Sequence, residues 1–252
     1  MRNNVLNMVI MRSFLLQGCW NFERMQNLGF CYALMPALSK IYGKGEELRK
    51  ALQRHLEFFN THPFMAAPIL GAVVRMEEDL KNGLLEEGEI RDFKSALMGP
   101  YGAVGDSFFW GAVKPLASVA GVIAASMGQI YAPLVFLMIY NVPHLAMRIW
   151  GFYSGYEKGA PVVDSVINLD LPAKVKRVRG VAISLAGVLL ALLVFPLSGE
   201  GVSGNAPLLL TLIAIISILG LSYSALRRGM SLLPVYIAFG VSLALSGAIW
   251  FG

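Results

Sequence analysis

The sequence predicts an all-α integral membrane protein, and three observations carry that prediction. First, residues 180–198, 207–226 and 232–252 contain no Lys, Arg, Asp or Glu. Each run is about 19–21 residues, and a helix of that length rises about 30 Å, the thickness of a bilayer's hydrocarbon core. Second, 56% of the 252 residues are hydrophobic and only 15% are charged, with a mean hydropathy of +0.60, values foreign to a soluble domain. Third, the loops between apolar runs alternate in charge. The loop near residue 128 has no cation, and loop 152–179 has Lys158, Lys174, Lys176, Arg177 and Arg179. The loop near residue 203 has none, and Arg227-Arg228 follows the next run. If residues 1–98 start in the cytoplasm, about five transmembrane segments put every cation-bearing loop inside and the C-terminus outside.

The elements follow in order. Residues 1–98 are amphipathic and charged. Residues 5–11 are too short for a signal peptide and Arg12 interrupts them, so the first membrane segment is expected to target the chain. Residues 45–59 predict a helix, because Leu48, Leu52, Leu56 and Phe59 form one stripe opposite Glu46, Glu47, Arg49, Lys50 and Arg54. Asn60-Thr61-His62-Pro63 then breaks the chain and starts a second helix running to about residue 80. A short amphipathic helix is expected over about 89–97. These N-terminal helices are expected to lie on the cytoplasmic side, at the interface, or re-entrant in the membrane.

Residues 99–106, Gly-Pro-Tyr-Gly-Ala-Val-Gly-Asp, hold three glycines and a proline, which predicts a Gly-rich broken helix. Membrane segments follow at 107–127, carrying only Lys114, and at 130–151, interrupted by Asn141-Val142-Pro143-His144 and closed by Arg148. The chain thus divides into 1–98, 99–151 with two membrane segments, a cytoplasmic loop 152–179, and three transmembrane helices over 180–252.

Charge excludes nucleic-acid binding. The net charge is +5, but 12 of the 21 cations lie before residue 101 beside 11 of the 16 acids, so that half is mixed rather than basic. Cys19 and Cys31, twelve apart, make neither a disulfide framework nor a zinc site. His55, His62 and His144 do not space as a metal cluster. No phosphate-binding loop, nucleophile elbow or dinucleotide fingerprint is present, so no catalytic residue, metal or cofactor is expected.

Polar residues in apolar context are the candidate site. Asp106 at the mouth of an apolar segment is either a substrate or ion site facing a cavity or a helix N-cap at the interface. Asn60-Thr61-His62-Pro63 and Asn141-Val142-Pro143-His144 each set Asn, Pro and His between apolar stretches, with Gly71 and Gly151 following about ten residues later. Such paired breaks point to transporter sites, although coincidence between two helix starts is the plainer reading. Glu77-Glu78 reads as solvated helix surface or as acceptors for a hydroxyl-rich ligand.

Several stretches together resemble the IID membrane component of the mannose/fructose/sorbose family of the sugar phosphotransferase system (PTS). They are Asn21-Phe22-Glu23-Arg24-Met25-Gln26; His55-Leu56-Glu57-Phe58-Phe59-Asn60-Thr61-His62-Pro63-Phe64; Arg75-Met76-Glu77-Glu78; residues 96–110; and Tyr153, Gly155 and Tyr156. The resemblance runs from about residue 10 to the C-terminus, with early helices and a cytoplasmic loop that are short for the family. It implies a multi-pass protein of the bacterial inner membrane that pairs with a IIC membrane subunit, the pairs assembling as trimers. Sugar would cross this complex and be phosphorylated inside by soluble IIA and IIB proteins, whose own histidines carry the phosphoryl group. Residues 99–151 would then be the transport core and 180–252 its scaffold. Asn60, His62, Glu77 and Asp106 are the expected sugar contacts, with Trp110 or Phe109 as an apolar platform. Two other classes compete: an ion-coupled secondary transporter working alone with Asp106 as coupling site, and a non-transporting membrane scaffold or receptor.

Overall fold

A computed structural model describes residues 3–194, and every described element is a helix. The predicted segments 207–226 and 232–252 lie outside the described residues. The order is α1 (Asn3–Ser13), α2 (Asn27–Tyr42), α3 (Glu46–His55), α4 (Ala66–Lys81), α5 (Glu87–Gly105), a π-helix (Asp106–Val113), α6 (Lys114–Ser126), α7 (Ala132–Lys158), α8 (Val162–Ile167) and α9 (Leu171–Val194). The contacts below lie within one compact unit, Met1–Gly187.

Local chemistry explains several boundaries. α3 opens with Glu46 and Glu47 and closes with Arg54 and His55, which complements its macrodipole. α5 opens with a capping box in which the Glu86 N–H donates to Glu89 Oε1 at 3.0 Å. α4 is the central element: every residue from Ala66 to Val74 is buried, against α2, α5 and α7.

The α4–α7 contact is a backbone approach that only glycine permits. A Cβ on Gly71 would lie 1.9 Å from the Phe152 carbonyl oxygen, and one on Gly155 would lie 2.2 Å from that of Pro68. Gly151 sits on the Pro68 ring in the same seam.

Three expectations are corrected. The glycine-rich segment 99–106 is not a break: α5 runs through Pro100 to Gly105 and continues into the π-helix. Its glycines serve packing, since a Cβ on Gly105 would fall 2.4 Å from His62 Cβ. The irregularity is absorbed as i→i+5 bonding, with the Lys114 N–H donating to the Phe109 carbonyl. Asn141-Val142-Pro143-His144 does not interrupt its segment either, because α7 is continuous over 27 residues with Pro143 inside. Loop 152–179 is mostly helical, holding the end of α7, then α8 and the first turns of α9. α1 and α2, which the sequence did not suggest, form a packed pair.

Among the described residues, two helical stretches are long and apolar enough to cross a membrane, within Glu87–Ser126 and Ala132–Lys158. Leu134, Met138, Val142, Leu145 and Ile149 make an exposed apolar stripe along α7, costly in water and ordinary against lipid or another subunit. The membrane character of the chain is thus visible in its surface.

Candidate functional site

The chain between α3 and α4, residues 56–65, is held from both sides by short-range chemistry. Residues 21–25 fold back on themselves, the Asn21 N–H donating to the Met25 carbonyl at 3.1 Å and the reverse at 3.0 Å. Met25 takes a left-handed φ of 56° in this turn. The next residue, Gln26, is buried, and its carboxamide pairs with both backbone groups of Thr61. Nε2 donates to the Thr61 carbonyl at 2.8 Å, and the Thr61 N–H donates to Oε1 at 3.1 Å. Asn27 Nδ2 donates to the Leu56 carbonyl at 2.8 Å. These three bonds fix the loop that carries Asn60 and His62.

The π-helix closes over that loop with aromatic rings. The Phe109 ring is fully buried and stacks on His62, centroids 5.1 Å apart and tilted by 16°. Trp110 meets His62 edge-on at 4.8 Å and remains 46% exposed. Phe64 packs edge-on against Phe109 and stacks on His144 at 3.7 Å. The two Asn/Pro/His segments of the sequence therefore meet, through Phe64, although the second lies inside α7 and is no helix start.

Beyond His144, Arg148 is buried without a carboxylate partner among the described residues. Its Nη1 donates to Ser13 Oγ at 2.7 Å and its guanidinium covers Phe14 at 4.3 Å. Its Nε faces His144 Nε2 at 3.3 Å. An arginine only donates, so that nitrogen accepts and the His144 proton sits on Nδ1, toward Asn141 Oδ1.

Three polar atoms of this region are buried and unpaired among the described residues: Thr61 Oγ1, His62 Nε2 and Tyr101 OH. Such orphans are rare in a finished interior. His62 Nδ1 accepts from the Phe64 N–H at 3.3 Å, so Nε2 carries the ring proton as a donor with nothing to donate to. Burial, then His144 and Arg148, hold His62 below the usual imidazole range, leaving the ring neutral.

The remaining sequence-predicted residues fall in different places. Asn60 is exposed, with its backbone N–H on Met98 Sδ. Asp106 is exposed at the start of the π-helix, with helical φ and ψ of −58° and −46°. Helix precedes it, so it is no N-cap. Glu77 stands apart. It is completely buried, which overturns the solvated-surface reading, and its carboxylate is already spent. Arg54 pairs with it through two bonds of 2.9 and 2.8 Å, His55 Nε2 lies 2.7 Å from Oε1, and Tyr42 OH donates at 2.6 Å. Burial alone would raise the Glu77 carboxyl, but the bonds from His55, Arg54 and Tyr42 hold it well below the carboxylate range. An ionised Glu77 only accepts, so His55 Nε2 donates, and burial keeps that imidazole neutral. This hub ties α2, α3 and α4 together, and Arg54 reaches α5 through Glu87 at 2.9 Å.

Sequence reasoning missed Gln26 and Arg54. The Asn-Phe-Glu-Arg-Met-Gln stretch carries part of the family resemblance, but nothing in its spacing announces a carboxamide clamp 35 residues away.

Comparison with known proteins gives a consistent answer. Residues 1–195 match the sequence model of the PTS mannose/fructose/sorbose family IID component. The chain is 48% identical over 157 residues to the PTS mannose-specific EIID component of Escherichia coli K12, covering 62% of this chain and 56% of that protein. It is 41% identical over 166 residues to the fructose permease IID component of Bacillus subtilis, covering 66% of this chain and 60% of that protein. It is 39% identical over 159 residues to the sorbose-specific EIID component of Klebsiella pneumoniae. The match thus spans a little over half the length of these curated relatives. Among solved structures, one described as a membrane protein superposes with a TM-score of 0.77 at 32% identity, covering 98% of this chain and 97% of that one. The cryo-EM structure of the mannose transporter ManYZ with microcin E492 superposes with a TM-score of 0.62 at 31% identity, covering 99% and 97%.

Proposed function

The chain belongs to the IID component family of the mannose/fructose/sorbose phosphotransferase systems, proteins of the bacterial inner membrane, and from that premise we propose that it is the IID subunit of a sugar-translocating complex. It pairs with a IIC membrane subunit, and the pairs assemble into trimers. The complex carries a mannose-type hexose or amino sugar that IIA and IIB phosphocarriers phosphorylate on entry. The N-terminal region faces the cytoplasm and the C-terminus the outside.

The observation that carries the reading is the meeting of loop 60–64 with the π-helix. There an exposed amide, a buried donor without an acceptor, an exposed carboxylate and a half-exposed indole lie on two touching elements. A hexose presents hydroxyls at its rim and C–H groups on its faces, so it needs fixed donors and acceptors beside an apolar plate in a partly dry site. Asn60 and Asp106 bind hydroxyls from the open side. His62 Nε2 donates to a hydroxyl oxygen once the site opens, and Trp110 carries the sugar face. Glu77 acts from behind, by fixing the end of α3 from which residues 56–62 depart. Alternating access is movement of the block carrying the π-helix against a scaffold that includes 180–252.

Uptake by vesicles holding this chain with its IIC subunit tests the proposal. Uptake should require both subunits and a phosphoryl donor and should persist with an uncoupler. Transport by the chain alone, abolished by an uncoupler and indifferent to the phosphoryl donor, would instead make it a secondary transporter.

A further inference from the structure

The start of α9 makes a second polar feature that the sugar site does not use. A cleft of about 340 Å³ lies between the end of α5 with the π-helix and the first turns of α9, lined by Val104, Ser107, Pro172, Val175, Lys176 and Arg179. Its walls are apolar and its rim is cationic. Arg179 is fixed there: its Nε donates to the Gly111 carbonyl at 2.9 Å. The approach is close, since a Cβ on Gly111 would lie 2.7 Å from Arg179 Nη2. That bond uses one of five guanidinium N–H groups and leaves the terminal nitrogens for something else. Neither Lys176 nor Arg179 has an ion-pair partner among the described residues. Asp170, the acid just before α9, faces the Ala173 N–H at 3.3 Å.

Position along α9 identifies the ligand. Four cations fall within residues 174–179, immediately before the uncharged run 180–198. A helix with that pattern passes from the headgroup layer into hydrocarbon at the point where Lys176 and Arg179 stand. Basic pockets between helices at that depth suit phosphate headgroups. A free phosphate ion would find no use for the walls of Val104, Pro172 and Val175, whereas a phospholipid presents phosphate first and acyl chain next.

We propose that this cleft seats the phosphate of an anionic phospholipid, with Lys176 and Arg179 as cationic contacts, Ser107 as hydroxyl donor and the apolar walls against the upper acyl chain. The bound lipid would brace the π-helix against α9 and so steady the element that carries Asp106 and Trp110.

Native mass spectrometry of the detergent-purified protein with its IIC subunit tests this, with phosphatidylglycerol, phosphatidylcholine and inorganic phosphate as probes. Retention of phosphatidylglycerol should fall about fivefold in Lys176→Gln and further in the Lys176→Gln/Arg179→Gln double variant, since each cation contributes on that scale. It should be unchanged in a Lys44→Gln/Lys50→Gln control. Lys176→Gln leaves the Arg179–Gly111 bond intact, so it decides the matter if the double variant does not fold. Equal retention by wild type and Lys176→Gln, or equal retention of the two lipids, would overturn the proposal. Displacement of the lipid by millimolar inorganic phosphate would overturn it too, in favour of a free anion.

Discussion

The carboxamide of Gln26 pairs with both backbone groups of Thr61, at 2.8 and 3.1 Å, across 35 residues of sequence. The pairing converts the link between α3 and α4 from a loop into a fixed platform for Asn60 and His62. Gln26→Ala leaves a buried N–H and a buried carbonyl unpaired, which costs about 1–3 kcal/mol for each group. Thermal unfolding should show that loss, and sugar uptake should fall more than the drop in folded protein explains. Gln26→Glu restores the acceptor but sets a buried carboxylate oxygen against the Thr61 carbonyl, so near neutral pH it should be no more stable than Gln26→Ala.

Glu77 predicts a larger effect. Glu77→Gln breaks a buried ion pair and leaves Arg54 without its main counter-charge, a loss of about 3–5 kcal/mol. Folded yield after extraction in mild detergent should collapse for Glu77→Gln and for Arg54→Met. Tyr42→Phe removes one donor to the ionised carboxylate and should cost about 1.5–3 kcal/mol.

Acid should destabilise the protein, with a sign fixed by this hub. Burial, outweighing the bond from Glu77, holds the folded His55 below its ordinary value of 6.5. As pH falls through that value the unfolded chain binds a proton that the folded chain refuses. Burial would raise Glu77, but its bonds prevail and hold it below its ordinary 4.5. The unfolded chain therefore takes up a second proton first below that pH. Stability rises with pH wherever the unfolded state binds more protons, so it should be full above 6.5, start to fall below that, and fall more steeply below 4.5. Melting temperatures measured between pH 8 and pH 4 check this.

Two glycines of the 99–105 segment should respond oppositely to alanine. Gly99 has open space around its Cβ position, and alanine there should stabilise α5 by up to about 1 kcal/mol through helix propensity alone. A Cβ on Gly105 would lie 2.4 Å from His62 Cβ, 2.5 Å from its Cγ and 2.8 Å from Met65 Cγ. Gly105→Ala should push His62 off Phe109, with an overpacking cost of about 1–3 kcal/mol. Tryptophan fluorescence from Trp110 should shift in Gly105→Ala and not in Gly99→Ala.

Much of the fold could be read from periodicity, and less of the site. The stripe Leu48–Leu52 locates α3, although those leucines are only half-buried, the helix ends at His55 before Leu56, and the face it buries is Ala51, Arg54 and His55; the apolar residues after Pro63 mark α4, which buries one continuous run. Segments 107–127 and 130–151, each with a single charge, are almost wholly helical, as their apolar character implies. The glycine-rich segment misled because glycine has two uses. Conformational freedom suggests a break, whereas here Gly105 supplies room for His62. Pro143 misled likewise, since α7 runs through it without a break. Glu77 stands out in the sequence as a charge at an apolar helix end, but Arg54, His55 and Tyr42, which consume it, are 22 to 35 residues away. The meeting of the Asn60 and Asn141 segments depends on Phe64, a ring whose reach no spacing discloses.

The most direct measurement is phosphorylation-coupled sugar uptake by vesicles carrying this chain with its IIC subunit, with Asn60→Ala and Asp106→Ala made singly. Both side chains are exposed, so folding and assembly should survive. Each variant should lose uptake at least tenfold, about 1.4 kcal/mol or more of binding or transition-state stabilisation, while still co-purifying with IIC. Wild-type uptake in both variants would contradict the account and take the sugar away from loop 60–64 and the π-helix.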